Sequence, residues 1–78
     1  MKVEYLRHKS GRQFARVEGA NVVRVYNALN RTEIIRDNSE MLSEYILEDK
    51  DIYSPCPEQE FNTAYQEALQ RIKDMKIL

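Results

Sequence analysis

From Phe61 to Met75 the apolar residues recur at steps of three and four: Phe61, Ala64, Tyr65, Ala68, Leu69, Ile72 and Met75, with Ile77 beyond them. The positions between, Asn62, Thr63, Gln66, Glu67, Gln70, Arg71, Lys73 and Asp74, are all polar. On a helix of 3.6 residues per turn this spacing gathers the apolar side chains into one stripe. It predicts a helix over residues 57–77, half sunk in a core. Pro57 suits the first helical position, where a missing N–H costs nothing. Glu58 and Glu60 suit the positive end of the helix dipole, and Arg71, Lys73 and Lys76 suit the negative end. Those terminal charges are worth ~0.3–1 kcal/mol each. Full burial of one Leu, Ile or Phe is worth roughly 1.5–3 kcal/mol. The helix therefore depends on the surface beneath it more than on its ends.

Ahead of that helix the pattern changes to short runs rich in β-branched and aromatic residues, which predict strands. Residues 2–8 form the first run and 12–18 the second. Lys9-Ser10-Gly11 lies between them as a three-residue hairpin loop, with Gly in the left-handed position. That loop pairs Val3 with Val17, Tyr5 with Ala15, Leu6 with Phe14 and Glu4 with Arg16. A two-residue loop would instead set Tyr5 against Arg16 and Val3 against Glu18. The first register matches apolar with apolar and acid with base, and is preferred. Gly19-Ala20-Asn21 is expected to turn into a third strand over 22–27. That turn sets Val17 beside Val23, Ala15 beside Val25 and Phe14 beside Tyr26. Ala28-Leu29-Asn30 turns again, with Asn30 able to adopt the left-handed conformation, into a fourth strand over 31–36.

One sheet face then carries Val3, Tyr5, Ala15, Val17, Val23, Val25 and Ile35, the expected floor for the terminal helix. The other carries Glu4, Leu6, Phe14, Arg16, Arg24, Tyr26 and Ile34. Between strand four and the helix, Met41, Leu42, Tyr45 and Ile46 fall at helical spacing, with Asn38 or Ser39 able to cap. Tyr45 and Leu47 also fit a short strand, but the helix is favoured. Asp49-Lys50-Asp51 connects, and Ile52 and Tyr53 return the chain to the core before Ser54-Pro55. The expected fold class is α+β: a four-stranded antiparallel meander, a short helix, then a long C-terminal helix packed on one sheet face. The 78 residues suffice for one domain with one modest core, and oligomerisation is a common remedy at that size. Within it lie a basic meander over 1–36, an acidic connector over 37–56 and the helix over 57–77.

Net charge is −1, but it hides an asymmetry. Residues 1–36 hold eight basic and three acidic side chains, or +5, and residues 37–78 hold four and ten, or −6. The simplest explanation is mutual attraction inside one fold. The other is a basic face meant for an external anion. Met1-Lys2 passes directly into strand-like sequence, so no secretory leader is expected. Nothing approaches the length of a membrane span, so no membrane partner is expected. The single cysteine, Cys56, excludes an intramolecular disulfide and fits a reducing cytoplasmic setting.

Catalytic chemistry finds little to work with, and no enzyme is expected. Cys56 precedes a helix start, which favours a thiolate. The one histidine, His8, lies in the first strand, and nothing in the sequence sets a base beside the thiol. Four nitrogen or sulfur metal ligands are not available, so neither metal nor cofactor is expected. Glu48-Asp49-Lys50-Asp51 lacks the glycine and the glutamate of a calcium loop. Gly11 and Gly19 make no phosphate loop. The constellation worth weighing is Leu6, Arg12, Phe14, Arg16, Arg24 and Tyr26 on the second sheet face. Residues 38–53 could cover it as a second small core. Uncovered, it suits self-association into a homodimer or contact with another protein. It also suits a nucleic acid, with aromatics stacking bases and arginines holding phosphates. The expected role is a small non-catalytic interaction or homodimerisation module, with nucleic-acid binding as the alternative.

Overall fold

In the computed structural model, which describes residues 2–76, the chain is a five-stranded antiparallel sheet with one helix on each face. Strands β1 (Val3–His8), β2 (Gln13–Glu18), β3 (Asn21–Ala28) and β4 (Arg31–Asn38) form the expected meander. Helix α1 (Glu40–Glu48) follows, then a short strand β5 (Tyr53–Pro55), then helix α2 (Glu58–Lys76). The strand order is β4-β3-β2-β1-β5, so β5 pairs with the outer side of β1 and leaves β4 as the far edge. The sequence marked Ile52 and Tyr53 as a return to the core but did not mark a strand. Ile77 of the expected helix lies outside the described residues.

Local chemistry explains the element ends. Ser39 caps α1, its hydroxyl accepting from the Leu42 amide at 3.2 Å. The Pro57 carbonyl accepts from the Glu60 and Phe61 amides, so Pro57 stands just before α2 and Glu58 and Glu60 fill its first turn. Gly19 has φ +60° at the first central position of a two-residue turn, where only glycine is at ease. Gly11 has φ +75°, as expected for its loop. Asn30 does not adopt the left-handed conformation, because glycines alone have positive φ among the described residues.

Every predicted register is displaced by one residue. In β1–β2, Tyr5 pairs with Arg16 and Leu6 with Ala15. Those are the pairings of the rejected register, but the loop that makes them has four residues, Lys9 to Arg12. The Gly11 amide bonds the His8 carbonyl at 2.9 Å and the Arg12 amide bonds the Ser10 hydroxyl at 3.2 Å, which settles this longer loop. The β2–β3 turn has two residues rather than three, pairing Val17 with Val22 and Ala15 with Arg24. The β3–β4 turn is also two residues, Leu29 and Asn30, setting Val25 against Ile34.

A one-residue slip moves a strand's whole side-chain set to the other face. The face under α2 therefore holds Tyr5, Arg7, Phe14, Arg16, Val23, Val25, Ile34 and Arg36. There Phe14 and Val25 form a core with Phe61, Ala64 and Ala68, flanked by Tyr5, Val23, Ile34 and Tyr65. The face under α1 holds Leu6, Ala15, Val17, Val22, Arg24, Tyr26 and Ile35. There Leu6, Ala15, Val17 and Val22 pack with Ile46 and Tyr53. The small chain thus divides its apolar residues between two cores. No helix among the described residues is long and apolar enough to cross a membrane.

Candidate functional site

The six residues singled out from the sequence do not share a surface. Leu6 and Phe14 are buried, in different cores on opposite sides of the sheet. Arg16 lies on the α2 side, and Arg24 and Tyr26 lie on the α1 side. Arg12 sits in the β1–β2 loop, where its carbonyl accepts from the Asn27 amide at 2.9 Å. The register shift is the cause: it turns β2 over relative to both of its neighbours. Cover of the second face by residues 38–53 is supplied by α1, which packs Ile46 there, with Leu42 and Leu47 alongside.

The arginines of the strands are also occupied. Arg24 donates to Asp37 at 2.9 Å and to the Tyr26 hydroxyl at 3.4 Å, and its side chain is largely buried. Its Nε is buried with no hydrogen-bond partner among the described residues. Arg31 pairs with Glu33 at 2.8 Å and lies 4.2 Å over the Tyr26 ring. Arg16 stands 4.0 Å from Glu18 and Lys2 stands 3.8 Å from Glu4. Arg7 reaches Glu60 on α2 at 2.7 Å, and Arg36 donates to the Tyr65 hydroxyl. The charge asymmetry is therefore met in two ways. Arg7–Glu60 and Arg24–Asp37 join the basic to the acidic half, and the other three pairs lie within the basic half. Exposed pairs of this kind are worth ~0.2–1 kcal/mol at most. Their consequence here is to neutralise charges that a phosphate backbone would need, which weakens the nucleic-acid alternative.

Cys56 lies at the sheet edge, its amide bonded to the Tyr5 carbonyl at 2.9 Å. Burial pushes its thiol above the usual range, Glu60 pushes it further, and Arg7 opposes both. A raised pKa leaves less thiolate at neutral pH than a free peptide cysteine has. Iodoacetamide labelling followed by mass spectrometry should therefore run slower than for a free peptide cysteine at the same pH. Equal or faster labelling would contradict the environment described. Tyr53 is held protonated mainly by burial, with its hydroxyl accepting from Gln13 Nε2. Among the described residues no group of three or more His, Cys, Asp or Glu is placed to hold a metal ion.

Four large apolar side chains are exposed among the described residues. Leu29 at the β3–β4 turn and Met41 on α1 are 87% and 82% exposed. Tyr45 and Met75 are about half exposed. Met75 belongs to the α2 stripe. That stripe is buried at Phe61, Ala64 and Ala68, half-buried at Leu69 and Ile72, and open at Met75. Tyr65 meets Arg36 and Glu67 meets Asn27 (3.2 Å), so α2 has already reached β4 and its neighbour β3 by its midpoint. No strand lies beyond β4 among the described residues. Two further turns of α2 run on from there. Beside the helix, a groove of about 650 Å³ is lined by Phe14, Asn27, Glu60, Ala64, Glu67 and Arg71, among others.

A signal for this projecting end was present in the sequence. A four-stranded sheet spans only about 14 Å between its outer strands. A helix over residues 57–77 is about 31 Å long. Laid straight across the strands, such a helix would outrun its floor. No protein-family model matches the chain, and no curated protein or solved structure matches it either.

Proposed function

We propose that this chain is a small non-catalytic interaction module that binds another polypeptide, either a second copy of itself or a different protein. The observation that supports it is the apolar stripe of α2, which continues through Ile72 and Met75 after the core beneath it has ended at Ala68. Met75 is about half exposed there, so much of its apolar surface is left uncovered by the fold. Exposed patches of this kind mark interaction surfaces. The homodimer expected from the sequence was to use the Phe14–Tyr26 face, which is divided between two cores. A homodimer through this chain now needs a different contact, and the end of α2 supplies one.

Met75→Glu tests the role directly. It should change the urea unfolding free energy by less than ~0.5 kcal/mol, as a surface substitution does. A loss of several kcal/mol would place Met75 in the monomer's own core and remove the support for an interaction role. Sedimentation velocity over a micromolar concentration series sorts the partner. Self-association abolished by Met75→Glu makes it a second copy, and a strict monomer makes it a different protein.

A further inference from the structure

We infer that the open edge of β4 and the projecting end of α2 together receive one extended strand of a different protein, with apolar side chains at alternate positions. This deepens the interaction role proposed above and rests on it.

Two deficits meet at the same place. β4 is eight residues long and among the described residues pairs with β3 alone, so one row of its backbone donors and acceptors faces outward. An added strand satisfies such a row through main-chain hydrogen bonds. Above that row, α2 runs on past the core, with Ile72 half-buried and Met75 54% exposed. At 100° per residue, Ile72 falls within about 20° of Phe61 around the helix and Met75 within about 40°. Both therefore point the same way as the residues that face the sheet. Ala68 closes the core that includes Ile34 of β4. Ile72 lies about 6 Å further along the axis. The next strand position lies about 4.8 Å beyond β4. One added strand would thus pair with the edge and pass beneath Ile72.

The register fixes the chemistry of that strand. Thr32, Ile34 and Arg36 point to the α2 side of β4, and Arg31, Glu33, Ile35 and Asp37 point to the other. Alternate residues of the incoming strand meet the Ile72–Met75 roof and are apolar. The residues between them lie beside charges of both signs and are polar. The mixed charges along β4 also discourage indiscriminate edge pairing.

A second copy does not fit this receptor. A two-fold β4–β4 pair centred on the strand would bring a second α2 over the same strip. The helix crosses β4 between Arg36, beside Tyr65, and Thr32, the register partner of Asn27, so it passes over the middle of the strand. Two helices need 8–10 Å between axes, and these would overlap. The occupant is a strand without a helix above it.

The test selects random dodecapeptides on the full chain, with counter-selection on Ile72→Asp, and titrates the enriched synthetic peptide into labelled protein by NMR. Enriched sequences should carry apolar residues at every second position. Their binding should shift the amides of residues 31–38 and 69–75. Ile72→Asp and, independently, Met75→Asp should each weaken binding about tenfold, with circular dichroism confirming that both remain folded. Apolar residues at steps of three and four, or shifts confined to other residues, would overturn the strand receptor and leave the interaction role standing. Failure to enrich any peptide over the counter-selected variant would overturn it too. So would a dimer whose β4 edge becomes protected from hydrogen exchange.

Discussion

Replacing Phe61 by alanine should cost about 3–5 kcal/mol, the range for removing a buried phenylalanine. Phe61 is 3% exposed and forms the centre of the contact between α2 and the sheet. Its ring lies 5.6 Å from that of Tyr5 and 6.1 Å from that of Tyr65. The space it leaves cannot close easily. Ala64 and Ala68 on the same face are already the smallest side chains available, and Phe14 and Val25 are held by the sheet. A chain of 78 residues has a total stability of about 4–12 kcal/mol at the usual per-residue value. The substitution therefore removes a large fraction of it, and urea unfolding should show a much lower midpoint. A loss below about 1 kcal/mol would mean that α2 does not depend on this contact.

Ile46→Ala should cost about 2–5 kcal/mol through the other core. Ile46 is 1% exposed and packs on Leu6, Ala15, Val17 and Val22 from the opposite side of the sheet. Its loss should loosen α1, whose other anchors are the half-buried Leu42 and Leu47, the Ser39 cap and the Ser43 hydroxyl bonded to the Gly19 carbonyl at 2.7 Å. Because the two cores share no side chain, the costs of Phe61→Ala and Ile46→Ala should add to within about 0.5 kcal/mol. Their sum rivals the stability of the whole chain, so the double variant should be unfolded by circular dichroism without denaturant. A folded double variant would show that the two layers stabilise the chain less than their burial implies.

The presence of both cores also explains which parts of the fold were legible in the sequence. α2 was plain because one side of it faces water, so its stripe has polar borders. α1 was recognisable from the spacing of Met41, Leu42, Tyr45 and Ile46 and from the Ser39 cap. The four strands were plain by composition, but their facing was not. A sheet covered on one side alternates apolar with polar, and that alternation fixes its register. Here helices cover both sides. Phe14-Ala15, Val22-Val23 and Ile34-Ile35 are apolar doublets with one member in each layer. Either parity looks equally good in such a strand, and the decision falls to loop length. Each of the three loops differs by one residue from its expected length, and each difference turns the next strand over.

The proposed surface of Leu6, Arg12, Phe14, Arg16, Arg24 and Tyr26 dissolved for that reason, not because its residues were poorly chosen. β5 was hidden because three residues ending in a proline carry almost no strand pattern. It is an edge strand, where a proline is tolerated. Element lengths bear on the projecting end of α2, since a helix laid straight across four strands is longer than they are wide.

Amide hydrogen exchange along α2 in the monomer tests the central claim, that the fully buried anchors of the helix end at Ala68 and its support thins beyond. Strong protection over residues 61–68 that falls away through 70–76 is the predicted profile. Uniform protection to Lys76, or none at Phe61 to Ala68, would contradict it.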